Sequence, residues 1–459
     1  MDHRDLMERD NRIEENRQTG TFREATQESA APRGPEAVYE GVYVHTPFCL
    51  QKCLYCDFPS RPLRGCEEKE RYVEALCREI RLRSRLLRAE HGGVLPVSPE
   101  ATVYFGGGTP TVLTADQLER IVTTLKEEGW WRRPAEATVE ANPGTVDGES
   151  LRRLRAMGFD RISFGIQSLQ DSELKAIGRI HTAAEAEEAV ALAREAGFRR
   201  ISGDLMAGLP GQTPESLRDT LEKAACWNLE HHSVYSLILE EGTPLYDLVE
   251  QGRVVLPPEE DVVAMDHQVR RFMAERGLRR YEVSNYARPG EESRHNLVYW
   301  HYRPYMAFGP GACTFTGRER LTGTTDLEEY CRAFGPERGI GAAGSPKPVP
   351  AQDRPGLSGS RHATLDGTTE EILSSYTIEE LSPEIRLEEF LIMGLRLTEG
   401  ISLEEARTRY GVDVLARYGG ELAPFLERGM VEVRDGFLRL TEEGMQFGNL
   451  IFEVFVNPL

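Results

Sequence analysis

Cys49, Cys53 and Cys56 lie within eight residues in C-x3-C-x2-C spacing, whereas Cys66, Cys77, Cys226, Cys313 and Cys331 are scattered. Three thiolates on one short loop can each take one iron of an iron–sulfur cube, because soft sulfur ligands suit that chemistry. A fourth iron without a cysteine stays open to an exogenous ligand, as the open position of a catalytic metal does. A cluster used only for electron transfer normally has four cysteines. The alternatives are three structural thiols or half of a zinc site, with Cys66 or His45 as the candidates for completing it, although neither gives a familiar finger spacing. Eight cysteines in 459 residues are too few for a disulfide scaffold, and in a reducing compartment a tight thiol cluster reads as metal binding.

Positioning such a loop requires a scaffold. Short β-branched or apolar runs occur at 42–44, 102–105, 138–140, 161–165, 200–204 and 233–239. Between them lie segments rich in Ala, Leu, Glu and Arg at 69–87, 115–128, 148–157, 183–196 and 213–227. Strands alternating with helices predict an α/β fold of βα units with a mostly parallel sheet, curled by right-handed crossovers into a barrel or partial barrel. The run Gly158-Phe159-Asp160-Arg161-Ile162-Ser163 recurs as Gly197-Phe198-Arg199-Arg200-Ile201-Ser202, each Gly closing a helix before a strand. In this frame the cysteine loop follows the first strand, and polar residues gather at later strand ends, where βα barrels carry their chemistry. The second strand runs into Gly106-Gly107-Gly108-Thr109-Pro110, whose glycines allow close approach of a ligand. Glu140, Gln167 and Asp204 fall at or just past three neighbouring strand ends and could hydrogen-bond a ribose and an amino group. Each could instead be a helix N-cap. Arg179, after the fourth strand, reads as an ionic grip on a carboxylate or as a solvated arginine at a helix start.

Residues 1–37 are polar, charged and poor in aromatics, the composition of a disordered extension. The barrel and its C-terminal extension are expected over 38–334. Residues 335–369, dense in Gly, Pro and Ser, read as a flexible insertion. Over 370–459 a smaller domain is expected. Ser402-Leu403-Glu404-Glu405 has the form of a capping box, and 431–433 and 437–440 flank Arg434-Asp435-Gly436 as a hairpin, a winged-helix-like outline. The formal net charge is -20, from 55 Lys and Arg against 75 Asp and Glu, which argues against a general nucleic-acid binder. No apolar run is long enough to span a membrane, and MDHRDLMERD is too charged for a signal peptide, so a cytoplasmic protein is expected.

These residues together resemble the radical S-adenosylmethionine superfamily. The resemblance covers about residues 40–330 and the C-terminal domain. It is carried by the cysteine spacing, His45-Thr46-Pro47-Phe48-Cys49, the GGGTP run, Glu140-Ala141-Asn142-Pro143, Gly165-Ile166-Gln167-Ser168, Asp204-Leu205-Met206, Tyr281-Glu282-Val283-Ser284-Asn285-Tyr286 and His295-Asn296-Leu297-Val298-Tyr299-Trp300. Within the superfamily the chain is similar to the coproporphyrinogen III oxidase-like branch, and in that branch to its heme chaperones. The resemblance implies a partial (βα)6 TIM-like barrel with a HemN-type C-terminal domain. It implies that Cys49, Cys53 and Cys56 bind a [4Fe-4S] cluster whose open iron chelates S-adenosylmethionine. It implies that Tyr43, Tyr55, Gly107, Gly108, Thr109, Glu140, Gln167, Arg179 and Asp204 line the nucleotide site. The oxidases carry a further cysteine two residues after the last cluster cysteine, where this chain has Phe58. His295-Asn296-x-x-Tyr299-Trp300 matches the HNxxYW motif that the chaperones associate with heme. Imidazole ligates heme iron, and aromatics cover porphyrin area. Cys313 stands where the family has His. The implied activity is binding of heme and its transfer to acceptor proteins, with electrons from a flavodoxin- or ferredoxin-like donor. The alternative is oxygen-independent oxidation of coproporphyrinogen III, by a 5′-deoxyadenosyl radical that abstracts hydrogen from propionate side chains.

Overall fold

The structure, a computed structural model, describes residues 38–335 and 375–456. The extension expected over 1–37, and all but the first residue of the insertion expected over 335–369, lie outside the described residues. Six parallel strands form the centre of one sheet: β1 (Tyr39–Thr46), β2 (Val97–Gly107), β3 (Ala137–Ala141), β4 (Arg161–Gln167), β5 (Arg200–Ala207) and β6 (His231–Ser236). Each expected strand is present. The last begins earlier than expected, because His231 and His232 pair with Ser202 and Gly203. It also ends earlier, the chain turning away at the rim, where Ile238 is exposed.

Four of the crossover helices start at reciprocal capping boxes, Thr114 with Gln117, Asp147 with Ser150, Thr182 with Glu185 and Thr213 with Ser216. Each box satisfies end N–H groups that the helix cannot satisfy itself. Glycine at positive φ closes the ends at Gly158 and Gly197. The helices bury one stripe each, for example Leu118, Ile121, Val122 and Leu125, at the spacing that keeps side chains on one face. Against these stripes lie the outward residues Val42, Val44, Val103, Phe105, Val139, Ile162, Phe164 and Ile201. A strand alternates faces with period two, so the residues between them turn into the barrel. Those are Tyr43, His45, Tyr104, Glu140, Ser163 and Ser202.

The sheet extends past the six strands on both edges. Tyr305–Phe308 pairs in parallel with the outer side of β1, and antiparallel strands Cys313–Phe315, Glu319–Gly323 and Tyr376–Glu380 follow it. On the other edge Asn285–Ala287 runs antiparallel to β6. Helix Arg294–Trp300 packs against β1, β2 and helix Pro383–Leu395. The C-terminal part has its own core and a three-stranded sheet of Ile401–Ser402, Val431–Arg434 and Phe437–Leu440, the last two forming the expected hairpin. Ser402 caps helix Leu403–Tyr410 as expected, but Glu405 pairs with Arg303 and Arg409 instead of closing the box. Its core takes Tyr302 and Phe315 from the preceding segment.

A buried ion pair fastens the extended edge. Glu79, on helix Cys66–Glu90, is fully buried. It accepts from Arg83 at 3.1 Å, Gly309 N at 2.9 Å, Tyr330 at 2.6 Å and Tyr376. Arg83 also donates to Ala307 O at 2.6 Å and Thr314 Oγ1 at 2.9 Å. Removing one partner of such a pair strands the other charge in a low-dielectric interior. Glu79→Ala is therefore expected to cost about 3–5 kcal/mol. Denaturant titration of the full chain measures this, and a loss below about 1 kcal/mol would refute the assignment.

Candidate functional site

The cysteine loop hangs on the rim at the end of β1. Phe48–Cys49 forms a two-residue ribbon with Arg61–Pro62, closed by Arg61 N to Pro47 O and Leu63 N to Cys49 O, both 2.9 Å. The loop's far side is stitched to the segment after β4, with Leu54 N to Ile177 O at 3.0 Å and Gln51 Nε2 to Gly178 O at 2.9 Å. The glycine run fits tightly against the loop's entry. A Cβ on Gly108 would stand 2.4 Å from Phe48 O, and one on Gly107 would stand 2.6 Å from the His45 ring. On the side where a Cβ would stand, these glycines admit the Phe48 backbone and the His45 ring of the chain itself.

Two cysteines are joined by a circuit of side chains. Thr109 Oγ1 donates to Cys49 Sγ at 3.7 Å, and Asn142 Nδ2 donates to Thr109 Oγ1 at 2.8 Å. Arg179 donates to Asn142 Oδ1 at 2.7 Å, to Cys53 Sγ at 3.4 Å and to Gly165 O. Hydrogen bonds to sulfur are among the features that tune an iron–sulfur ligand set. Gly165 makes room for this circuit, since a Cβ there would meet Asn142 Oδ1 at 2.7 Å, Arg179 Nη2 at 3.1 Å and Gln167 Nε2 at 3.2 Å. Gln167 has a positive φ of 68° at a register shift against β5, a strained conformation of the kind that clusters at functional sites. Arg179 follows the short helix Asp171–Ala176, which the sequence reading missed, and its N–H bonds Leu174 O at 2.9 Å. It is thus not at a helix start, and its guanidinium is half-buried and hydrogen-bonded within the rim.

Among the described residues no group of three His, Cys, Asp or Glu side chains converges as a single metal ion would need. His45 spends both ring nitrogens on Tyr43 Oη and Pro59 O, at 3.1 Å each, and Cys66 is exposed. Neither completes a zinc site. Three thiols spread along one rim loop, two of them already facing hydrogen-bond donors, suit a cube in which each sulfur takes its own iron.

Below the rim two carboxylates face each other's field. Tyr104 donates to Glu140 Oε1 at 2.6 Å. Burial, with the charge of Asp204 adding to it, pushes Glu140 up to about 7. Asp204 accepts from Ser233 at 2.8 Å, Ser163 at 3.1 Å and Ser202 at 3.3 Å, yet burial still raises it. None of Glu140, Gln167 and Asp204 caps a helix; the caps are Thr114, Asp147, Gln170, Thr182 and Thr213. Tyr55 packs on Ile177, Met206 and Leu209 at the mouth.

His295 is far from this rim. It lies beside Gly41, which pairs with Thr102, four residues before His45 on β1, or about 13 Å along the strand. It has no exposed surface and is hydrogen-bonded at both ring nitrogens, to Thr102 at 2.8 Å and Tyr299 at 2.9 Å. Burial pushes it down to about 3.

Comparison with known proteins adds to this geometry. The radical SAM superfamily matches residues 43–224, and the HemN C-terminal domain matches 381–447. The heme chaperone HemW of Bacillus subtilis is 32% identical over 424 residues, spanning 92% of this chain and 100% of that protein. HemW of Lactococcus lactis is 30% identical, spanning 90% and 96%. This chain belongs to the HemW family. Coproporphyrinogen III oxidase (HemN) of Escherichia coli superposes with a TM-score of 0.72 at 22% identity, over 93% of this chain and 92% of that one, which shows a shared fold.

For this HemW-family chain, the structure brings Cys49, Cys53, Thr109, Gln167 and Arg179 into one rim cluster and Tyr43, Glu140 and Asp204 into the barrel beneath. It sets His295 apart on the floor. Asn142, Gly165 and Tyr104 lie inside the sequence motifs, but nothing in their spacing alone singles them out as site residues. Asn142 lies two residues beyond Glu140, a same-face spacing that flags it only once Glu140 is placed in the site. Glu140 supplies a test. Its folded value lies above the ordinary 4.5, so it folds most favourably as the neutral acid. Stability of the ligand-free protein then falls as pH rises from about 4.5 to about 7. Glu140→Gln removes that slope. Between about pH 5 and about pH 8 the unaltered chain is expected to lose on the order of 1–3 kcal/mol relative to the variant in denaturation. Parallel profiles would contradict the assignment.

Proposed function

We propose that this chain is a heme chaperone of the cytoplasm that carries a [4Fe-4S] cluster and S-adenosylmethionine, binds heme and passes it to acceptor proteins. The observation that carries the reading is the similarity to HemW heme chaperones along nearly the whole chain, C-terminal domain included. Phe58, at the position where the oxidases have their further cysteine, favours it over the alternative oxidase reading. Cys49, Cys53 and Cys56 hold the cluster, with Thr109 and Arg179 directing donors at two of the sulfurs. When bound, the cluster and nucleotide supply one-electron chemistry at a sulfonium.

Arg179 has no carboxylate partner among the described residues, which leaves its charge for the nucleotide's carboxylate. Glu140 and Asp204 repel each other, and a cationic amino group or sulfonium between them relieves that repulsion. Tyr43, Tyr55, Gly107, Gly108 and Gln167 complete the nucleotide pocket. Leu50, Phe58, Ile180, Tyr235 and Ile238 are large apolar side chains left exposed on three rim segments. Such a surface suits a porphyrin or an acceptor protein. His295 is the proposed heme ligand, and reaching iron requires its ring to leave the floor. A flavodoxin- or ferredoxin-like donor supplies electrons.

Hemin titration of anoxically reconstituted protein tests the reading through the Soret band. Saturable binding without conversion of coproporphyrinogen III to protoporphyrinogen is expected. Turnover of that porphyrinogen would instead make the chain an oxidase.

A further inference from the structure

Three rings are stacked on the barrel floor. His295 lies on Tyr104 with centroids 5.0 Å apart and planes inclined by 21°. Tyr43 flanks both, at 6.2 Å and 27° from Tyr104 and at 6.4 Å and 24° from His295. The Tyr104 hydroxyl bonds Glu140, so Glu140 rests on Tyr104 and Tyr104 rests on His295. The imidazole is fixed from every side. Thr102 and Tyr299 take its two nitrogens, and Glu136 accepts from its backbone N–H at 3.1 Å. A Cβ on Gly41 would stand 3.2 Å from its Cε1.

An imidazole binds iron through a free nitrogen lone pair. A neutral ring has one, and here a hydroxyl occupies each nitrogen. Ligation therefore needs the ring to break a hydrogen bond and leave its layer. That exposes one face of Tyr104 and loosens the phenol that orients Glu140. We infer that His295 and Tyr104 are positioning residues for Glu140, and that drawing His295 out to a heme iron releases Glu140, so that heme capture and S-adenosylmethionine binding oppose each other. The inference rests on the proposed roles of His295 toward heme and Glu140 toward the nucleotide. Coupling between two binding sites is reciprocal: each ligand weakens the other by the same factor.

The test uses the full chain with its cluster reconstituted anoxically. Equilibrium dialysis gives the S-adenosylmethionine Kd with and without saturating hemin, and Soret titration gives the hemin Kd with and without the nucleotide. Each ligand is expected to raise the other's Kd by about fivefold or more. Tyr104→Phe keeps the stacked ring and lacks only the hydroxyl. It is expected to bind the nucleotide more weakly and to lose the dependence of one ligand's Kd on the other. His295→Gln, checked for an unchanged circular-dichroism spectrum, is expected to alter the Soret band. Three results would overturn the inference. Hemin bound through His295 with equal nucleotide affinity in both states removes the coupling and leaves the chaperone reading standing. A Soret band unchanged in His295→Gln shows that the ring stays on the floor. Failure to bind hemin at all sinks the coupling and the chaperone reading together.

Discussion

The site depends on one contact between two backbones. Gly107 and Gly108 lie against Thr46 and Phe48 so closely that a single Cβ would collide with Phe48 O or the His45 ring. Gly108 N bonds Thr46 O at 2.7 Å across that contact. The cysteine loop leaves β1 at this point, so the position of its sulfurs over the barrel is set by how near two strand ends can come. Thr109, the next residue, reaches Cys49 for the same reason. The glycines thus act on the cluster loop before any ligand arrives.

A second constraint is electrostatic. The interior of a parallel barrel is normally filled by layers of branched apolar side chains, yet here the inner face carries Tyr104, Glu140, Ser163, Ser202, Asp204 and Ser233. Hydroxyls of Ser163 and Ser233 on the neighbouring strands and of Ser202 on its own strand satisfy Asp204, and Tyr104 satisfies one oxygen of Glu140. The residual strain is that of two carboxylates in a poorly solvated space, and a positively charged ligand relieves it. Arg179 presents the reverse charge at the rim. Buried Arg161, at the start of β4, offsets part of the carboxylate charge from the other end, drawing Glu140 and Asp204 down against the rise that burial causes.

The helix Arg294–Trp300 links these layers to the C-terminal part of the chain. Its N–H groups end on buried Glu136, its His295 supports Tyr104, and Trp300 carries the Arg396 guanidinium 4.8 Å over its ring. Arg396 follows helix Pro383–Leu395. Movement of the floor helix would therefore disturb both the nucleotide layer and the C-terminal unit.

Much of this was legible in the chain itself. Short β-branched or apolar runs mark the six strands, segments rich in Ala, Leu, Glu and Arg mark the helices between them, and cysteine spacing marks the cluster loop, because each is a local rule written in neighbouring residues. What the sequence left open were relations between distant segments. That Asn142 would bridge Thr109 and Arg179, that Gly165 would be the gap in which three side chains meet, and that Tyr104 would join His295 to Glu140 all depend on register between strands. The same holds for His295, whose residue type suggests an accessible ligand and whose burial is decided by the packing of Gly41, Thr102 and Tyr299 around it. Composition and spacing determine which groups a chain owns; only the folded sheet decides which of them touch, because side-chain contacts across strands are set by pairing that no single segment encodes.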